Sequence, residues 1–161
     1  MFWKKRSKAA NESNVKTWAT ATSTHNENGR VIIFRFAKEL HPRFNRGSQP
    51  DRIIIVWRYE SGTGQPVSDE HQQMNLLEDK LSPALDDEFA TLALVSTGEN
   101  LREWIYYTSS ENEFMARLNR ALAGTSFPIE IHTASDPTWE NYEAFKKNLR
   151  MPAVDEGTSD T

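Results

Sequence analysis

The chain has 161 residues, the size of a single domain, and is long enough to bury a hydrophobic core. With 37% hydrophobic residues and a mean hydropathy of −0.69 it is polar, and no apolar run approaches the ~18 residues of a membrane span. The absence of cysteine excludes disulfides, a thiolate nucleophile and zinc–thiolate sites, and it is compatible with the cytoplasm, where we expect the protein to act.

The net charge of −4 conceals an uneven distribution. Residues 1–58 carry 12 Lys and Arg against 4 Asp and Glu, whereas residues 59–161 carry 7 against 19. A basic half can attract an acidic partner or nucleic acid, but we favour packing of the two halves together, which partly cancels their fields. Residues 1–14 are predicted to be a disordered basic tail, 15–150 a single α+β domain, and 151–161 a disordered acidic tail.

A β-hairpin is predicted at the start of this domain. Residues 15–24 and 31–36 are rich in β-branched and aromatic residues, and Asn28-Gly29 between them favours the positive φ angles of a tight turn. Residues 37–51 contain two prolines and a glycine and are predicted to form a loop.

The next part of the chain has the predicted order β-α-β-β-α-β. The four strands are expected at residues 53–59, 89–97, 101–108 and 128–133. The first helix, 69–85, has an apolar stripe at Met74, Leu77, Leu81 and Leu85, with Pro83 expected to distort or stop it. The second helix begins at a capping box formed by Ser110 and Glu113 and ends near Gly124.

A last helix is predicted after the fourth strand. Asp136 is its expected cap, with Pro137 at the first helical position. Its expected buried stripe is Trp139, Tyr142, Phe145 and Leu149. The predicted fold class is therefore α+β, a ferredoxin-like βαββαβ sandwich with an added N-terminal β-hairpin and a C-terminal helix.

The faces of the two central strands bear on function. Ile53, Ile55, Trp57 and Tyr59 alternate on one face and are expected beneath the helices. In residues 101–108 alternation does not decide which face is buried. RNA binding by stacking of bases on the aromatic residues of these strands is one alternative function. The motif of RNA-recognition modules is absent, however, and residues 59–161 are acidic. We therefore expect these aromatic residues to pack in the core or against a protein partner, and we expect no nucleic acid to bind.

A candidate binding set is suggested by the arginines of the strands. If the hairpin joins the sheet, Arg35, Arg58 and Arg102 can share one open face with Glu130 and His132. We favour ordinary cross-strand ion pairs, and the functional alternative is a patch that grips a carboxylate-rich partner. The full candidate set is Arg35, Arg58, Arg102, Trp104, Tyr106, Glu130 and His132.

Catalysis is the other alternative, with no residue assigned firmly to it. A hydrolase-like enzyme would need Glu103, Asp136 and His132 to be brought together by folding. The four histidines have no metal-ligand spacing, and the acidic clusters are typical of a solvated surface. No metal and no cofactor are therefore expected.

Short motifs occur in order over residues 15–148: Trp18, Asn28-Gly29-Arg30 with Arg35, Ile55-Val-Trp-Arg-Tyr59, Gly64-Gln-Pro66, Leu77-Glu-Asp-Lys-Leu81, Ser96-Thr-Gly98, Arg102-Glu-Trp-Ile-Tyr-Tyr107, Pro128-Ile-Glu-Ile131 and Asp136-Pro-Thr-Trp-Glu-Asn-Tyr142. With this set of motifs the chain resembles the bacterial family known as domain of unknown function 695. The chain is also similar, through the strand at 102–108, to B-type regulators of ribonuclease E activity, which are protein-binding inhibitors. Those regulators are acidic near the start, where this chain is basic. We expect a non-catalytic protein-binding or regulatory module with a protein partner and no membrane.

Overall fold

The computed structural model describes residues 13–24 and 27–156. The described chain is a mixed α+β structure with one six-stranded antiparallel sheet and three α-helices. The remaining parts of the two predicted tails, residues 1–12 and 157–161, lie outside the described residues, as does His25. No helix in the described ranges has the length and apolarity needed to cross a membrane.

The elements follow the predicted order. The strands are β1 (Val15–Thr24), β2 (Val31–Leu40), β3 (Asp51–Arg58), β4 (Ala90–Gly98), β5 (Leu101–Thr108) and β6 (Ile129–Ser135). The helices are α1 (Ser68–Leu81), between β3 and β4, α2 (Glu111–Ala121), between β5 and β6, and α3 (Glu140–Glu156), at the end. The Ser110 hydroxyl accepts from the Glu113 N–H, so the predicted helix cap is confirmed.

The strand order in the sheet is β1-β2-β4-β5-β3-β6, and every neighbouring pair is antiparallel. The N-terminal hairpin is confirmed and joins the sheet beside β4. Strands β1 and β6 are therefore the two edges, while β5 and β3 lie between β4 and β6.

Helices cover both faces of the sheet. On one face, which we call the helix-pair face, α1 and α2 pack on the side chains predicted to lie beneath them: Ile53, Ile55, Trp57 and Tyr59. On the opposite face, α3 packs on β2, β4 and β5 through Tyr142 and Phe145, together with Trp139 just before the helix. Each large side chain buried in this way contributes about 1.5–3 kcal/mol.

Strand β5 is buried on both faces, which explains why alternation alone could not assign its interior side. Trp104 lies opposite Ile55 and belongs to the helix-pair face, whereas Tyr107 stacks on Trp139 with 4.1 Å between ring centroids. The five aromatic residues considered for base stacking are all buried, at 7% exposure or less: Trp57, Tyr59, Trp104, Tyr106 and Tyr107.

Three predicted boundaries are wrong. Strand β2 continues to Leu40 rather than ending at residue 36, because Leu40 pairs with Val15 at the far end of β1. Helix α3 begins at Glu140, so Pro137 is not at its first position. Asp136 does cap it, accepting from the Glu140 and Asn141 N–H groups. The helix also extends to Glu156, into the predicted acidic tail.

Candidate binding groove

The predicted binding residues divide between the two faces of the sheet. Trp57 lies opposite Arg102 on β5, so the next residue, Arg58, points to the other face. Arg35 lies opposite Val95, which in turn lies opposite Trp104, so it shares the face of Arg102. The expectation that three arginines share one open face is therefore wrong.

The group on the helix-pair face converges on Glu78 of α1. Its carboxylate accepts hydrogen bonds from Arg35 Nη2 at 3.0 and 3.2 Å and from the Trp104 indole N–H at 2.6 Å. The same carboxylate lies 3.6 Å from Arg102 Nη1. One carboxylate therefore faces two guanidinium groups, and the net charge of these three side chains is positive.

Arg102 is the buried member of this cluster, with 8% of the residue exposed. Its Nε donates to Thr97 Oγ1 at 2.8 Å, and its guanidinium carbon lies 5.5 Å from the centre of the Trp104 ring. Burial lowers the pKa of Arg102, and the charge of Arg35 adds to this, while Glu78 opposes it. The second positive charge is thus held where solvent screens it poorly.

Beside this cluster lies a groove of about 350 Å³, which we call the hairpin groove. One wall is the β1–β2 hairpin with Trp18 and Arg35, and the other is α1 with Glu78. Leu92 and Tyr106 of the central strands also line it. Trp18 is 43% exposed and lies under the Arg35 guanidinium, with 5.9 Å from the guanidinium carbon to the ring centre.

Tyr106 presents an unpartnered hydroxyl to this groove. The residue is only 6% exposed, and its hydroxyl has no hydrogen-bond partner among the described residues. The other three tyrosine hydroxyls donate to protein oxygens at 2.6–2.7 Å. Burial raises the pKa of Tyr106 far above its usual range, and Glu78 adds to this while Arg35 opposes it. The hydroxyl therefore stays protonated and can donate to a ligand.

The far end of the groove is acidic. It is lined by Asp86 and Asp87, of which Asp86 faces Arg117 at 3.5 Å. Burial raises the pKa of Asp87, although the hydrogen bond from the Asn14 N–H lowers it. Within residues 13–24 and 27–156, no group of three or more His, Asp or Glu side chains is placed to hold a metal ion.

The predicted residues on the opposite face form a separate surface group. Arg58 Nε lies 3.3 Å from Glu130, and His132 Nε2 lies 3.4 Å from the same carboxylate. The hydrogen bond from Arg58, with a smaller contribution from His132, lowers the pKa of Glu130. More than half of each side chain is exposed, so these are ordinary surface pairs.

The residues considered for catalysis are not in contact in the described part of the chain. His132 is exposed and pairs with Glu130, whereas Asp136 is buried and accepts the Tyr107 hydroxyl at 2.7 Å. Glu103 lies opposite Val56, on the β5 strand. The geometry therefore offers no acid–base pair among these three residues.

Sequence reasoning missed Glu78 as the centre of the groove cluster. In the sequence Glu78 forms an acidic pair with Asp79, a pattern typical of a solvated helix surface. A signal was present, because Glu78 directly follows Leu77 and lies four residues after Met74, at the border of the apolar stripe. A carboxylate at that border is positioned to meet donors from the sheet below.

Comparison with known protein families gives a match over residues 16–145 to the model described as "Family of unknown function (DUF695)". The chain belongs to the DUF695 family. No curated protein matches it. In this DUF695 domain, the Gly64-Gln-Pro66 motif is structural: the Gly64 carbonyl accepts from the Tyr59 hydroxyl, and Gln65 Nε2 donates to the Val31 carbonyl at 2.7 Å. Trp18 and Arg35, by contrast, face the hairpin groove.

Proposed function

We propose that this DUF695 domain is a non-catalytic protein-binding module that takes up an extended segment of a partner along the edge of β1. Strand addition of this kind uses the free N–H and C=O groups of an edge strand as the docking template. The observation that carries the proposal is the edge itself. Strand β1 is ten residues long, is terminal in the sheet, and has neither a charged residue nor a proline after Lys16.

The other edge of the sheet differs in the features that protect an edge from pairing. Strand β6 is seven residues long, follows Pro128, and carries Glu130 and His132. Charges, prolines and short length are the usual means by which proteins prevent strand addition. The contrast supports β1, rather than β6, as the docking edge.

Trp18 supplies an anchor next to this edge. It is one of the four large apolar side chains with substantial exposure in the described residues, and it lies on β1 itself. A strand paired with β1 would place its side chains beside those of Trp18 and Thr20. Exposed aromatic residues of this kind carry a large share of binding energy in protein interfaces.

Three finer interpretations belong to the same proposal. The order β4-β5-β3-β6 supports a ferredoxin-like βαββαβ arrangement for the part of the chain after the hairpin. The cytoplasm is the proposed location. A resemblance to B-type regulators of ribonuclease E activity is part of the same proposal and would make the partner a regulated protein.

The test is a selection of short random peptides displayed on phage against the full-length protein. We expect the selected peptides to bind the wild type and to bind the double variant Thr20→Lys/Thr22→Lys at least about tenfold more weakly. A tenfold loss corresponds to about 1.4 kcal/mol of binding free energy. Thr20 and Thr22 are exposed on β1, so the lysines add edge charges without disturbing the core. Thr133→Lys, at an exposed site on β6, is the matched control and should leave affinity unchanged.

Amide hydrogen exchange locates the bound peptide. Protection of β1 amides on binding supports strand addition. Peptides that bind both variants like the wild type, or that protect β6 or α3 instead, would contradict the proposal. Concentration-dependent dimers that disappear in Thr20→Lys/Thr22→Lys would assign the edge to a second copy of the chain and would equally overturn it.

A further inference from the structure

The hairpin groove holds a polar group that the fold leaves without a partner. The hydroxyl of a largely buried tyrosine normally forms a hydrogen bond with the protein or with water. The Tyr106 hydroxyl forms none with the described residues, although the residue is 6% exposed and lines the groove. A ligand atom in the groove would meet this requirement.

The charge next to Tyr106 determines the sign of that ligand. Glu78 is shared by Arg35 and Arg102, so the three side chains together carry one excess positive charge. Arg102 is buried, which prevents water from screening its charge fully. An anionic group in the groove would provide a second negative charge, so that two negative charges balance the two guanidinium groups.

Arg35 has donors left for such a group. Only its Nη2 bonds to Glu78, and its Nε and Nη1 have no hydrogen-bond partner among the described residues. Its side chain is 44% exposed, yet it is held in place by Glu78 and by the Trp18 ring. A guanidinium that is already oriented loses little conformational entropy when it binds a carboxylate.

The remaining lining restricts the anion to a small one. Leu85 and Leu92 offer apolar surface for a short aliphatic stem. Asp86 and Asp87 at the far end would repel a second negative charge, so the groove disfavours phosphates and other polyanions. A volume of about 350 Å³ is large enough to accept a side chain.

We propose that the hairpin groove is the receptor for a single side-chain carboxylate, of glutamate or aspartate, in the partner. Tyr106 on β5 lies four strand spacings, about 19 Å, from a chain paired with β1, so this carboxylate comes from the partner chain beyond the paired segment. This inference rests on the proposed function of β1. The carboxylate accepts hydrogen bonds from the Tyr106 hydroxyl and from Arg35, while its stem packs on Leu92.

The experiment titrates the full-length protein with N-acetylglutamate N′-methylamide and, in parallel, with the glutamine analogue. Two-dimensional NMR follows the Trp18 indole N–H and the Arg35 Nε–H. We expect the glutamate compound to shift both signals with a dissociation constant in the roughly millimolar range, and the glutamine compound to shift neither. Inorganic phosphate is the third probe and should bind more weakly than the glutamate compound.

Variants assign the binding to the groove. Tyr106→Phe, which removes only the hydroxyl, should weaken the glutamate compound about tenfold, the usual value of a hydrogen bond to a charged group. Arg35→Gln should weaken it by at least as much. Arg58→Gln is the matched control, because Arg58 lies on the opposite face and pairs with an exposed carboxylate, and it should have no effect.

Three results would overturn the inference: equal binding of the glutamate and glutamine compounds, unchanged affinity in Tyr106→Phe and Arg35→Gln, or tighter binding of phosphate. The two proposals fail separately. If β1-dependent peptides are selected but the glutamate compound does not bind, only the groove assignment is wrong. If the compound binds in the groove but no selected peptide depends on β1, strand addition is wrong and the carboxylate site remains.

Discussion

The two arginines that share Glu78 are expected to contribute very differently to stability. The pair with Arg35 is the shorter, at 3.0 Å, but the Arg35 side chain is 44% exposed. The pair with Arg102 is longer, at 3.6 Å, but the Arg102 side chain is only 10% exposed. Solvent screening rather than distance should decide which pair is stronger.

The magnitudes follow from these surroundings. At an effective dielectric constant of about 20, unit charges at such a separation attract by roughly 4–5 kcal/mol, and desolvation removes part of this. We expect a coupling energy of about 2–3 kcal/mol between Glu78 and Arg102. For the exposed pair with Arg35 we expect about 0.2–1 kcal/mol.

Double-mutant cycles with Glu78→Gln measure both values. Glutamine keeps an acceptor oxygen for the Trp104 indole, so the substitution removes chiefly the charge. Arg102→Met and Arg35→Met complete the two cycles, with free energies of unfolding taken from urea denaturation followed by tryptophan fluorescence. Raising the salt concentration should reduce the coupling with Arg35 more than that with Arg102.

The reasoning would be refuted by a coupling with Arg35 equal to or larger than that with Arg102. It would also be refuted if salt weakened the Arg102 coupling as strongly as the Arg35 coupling. Either result would mean that the inner end of the groove is well solvated, and the excess positive charge assigned to it would then be screened.

Further predictions concern the other hydrogen bonds and the close backbone contacts. Tyr107→Phe loses a hydrogen bond to the Asp136 carboxylate and should lower the free energy of unfolding by about 1.5–3 kcal/mol. Tyr106→Phe should change the free energy of unfolding by less than about 0.5 kcal/mol. The melting temperatures of the two variants should therefore differ by about 4–8 °C, and equal values would show that the Tyr106 hydroxyl has a partner in the protein. Burial by itself would raise the pKa of Asp136, but hydrogen bonds from N–H groups and from Tyr107 hold this pKa below its usual value. Asp136→Asn should therefore be less stable than the wild type at pH 7, and the difference in free energy of unfolding should shrink below about pH 4. Denaturation curves that show the same difference at every pH would contradict this prediction. A Cβ on Gly98 would lie 2.7 Å from a backbone oxygen of β2, so Gly98→Ala should cost about 1–3 kcal/mol in urea denaturation, while Gly62→Ala, which meets nothing within 4 Å, should be nearly neutral.

Much of the fold could be predicted because its signals are local. The alternation of Ile53, Ile55 and Trp57 predicted the side of the sheet on which helices would pack, and this is confirmed. The spacing of Ser110 and Glu113 predicted the start of α2 in the same way. These patterns are read within a few residues of the chain, so no knowledge of distant contacts is required.

The boundaries that were wrong depend on distant partners. Strand β2 is longer than predicted because β1 offers pairing as far as Leu40. The start of α3 is delayed by Trp139, which adopts a φ of +59° and is buried against Tyr107. A tryptophan in this left-handed conformation is strained by about 1–2 kcal/mol, and burial of its ring offsets the strain.

The candidate site shows most clearly the difference between features set by local sequence and features set by distant contacts. The amino-acid sequence by itself determined the residue types, the strands that carry them and the class of fold to which they belong. Only the tertiary structure decided that Arg35 and Arg102 meet Glu78 on one face, while Arg58 lies on the other. Arg35 and Glu78 are 43 positions apart, and their contact depends on the register of strands paired across the sheet and on the helix packed above them. Pairing register is a property of the whole assembled sheet, because shifting one strand by one residue moves every side chain on it to the opposite face.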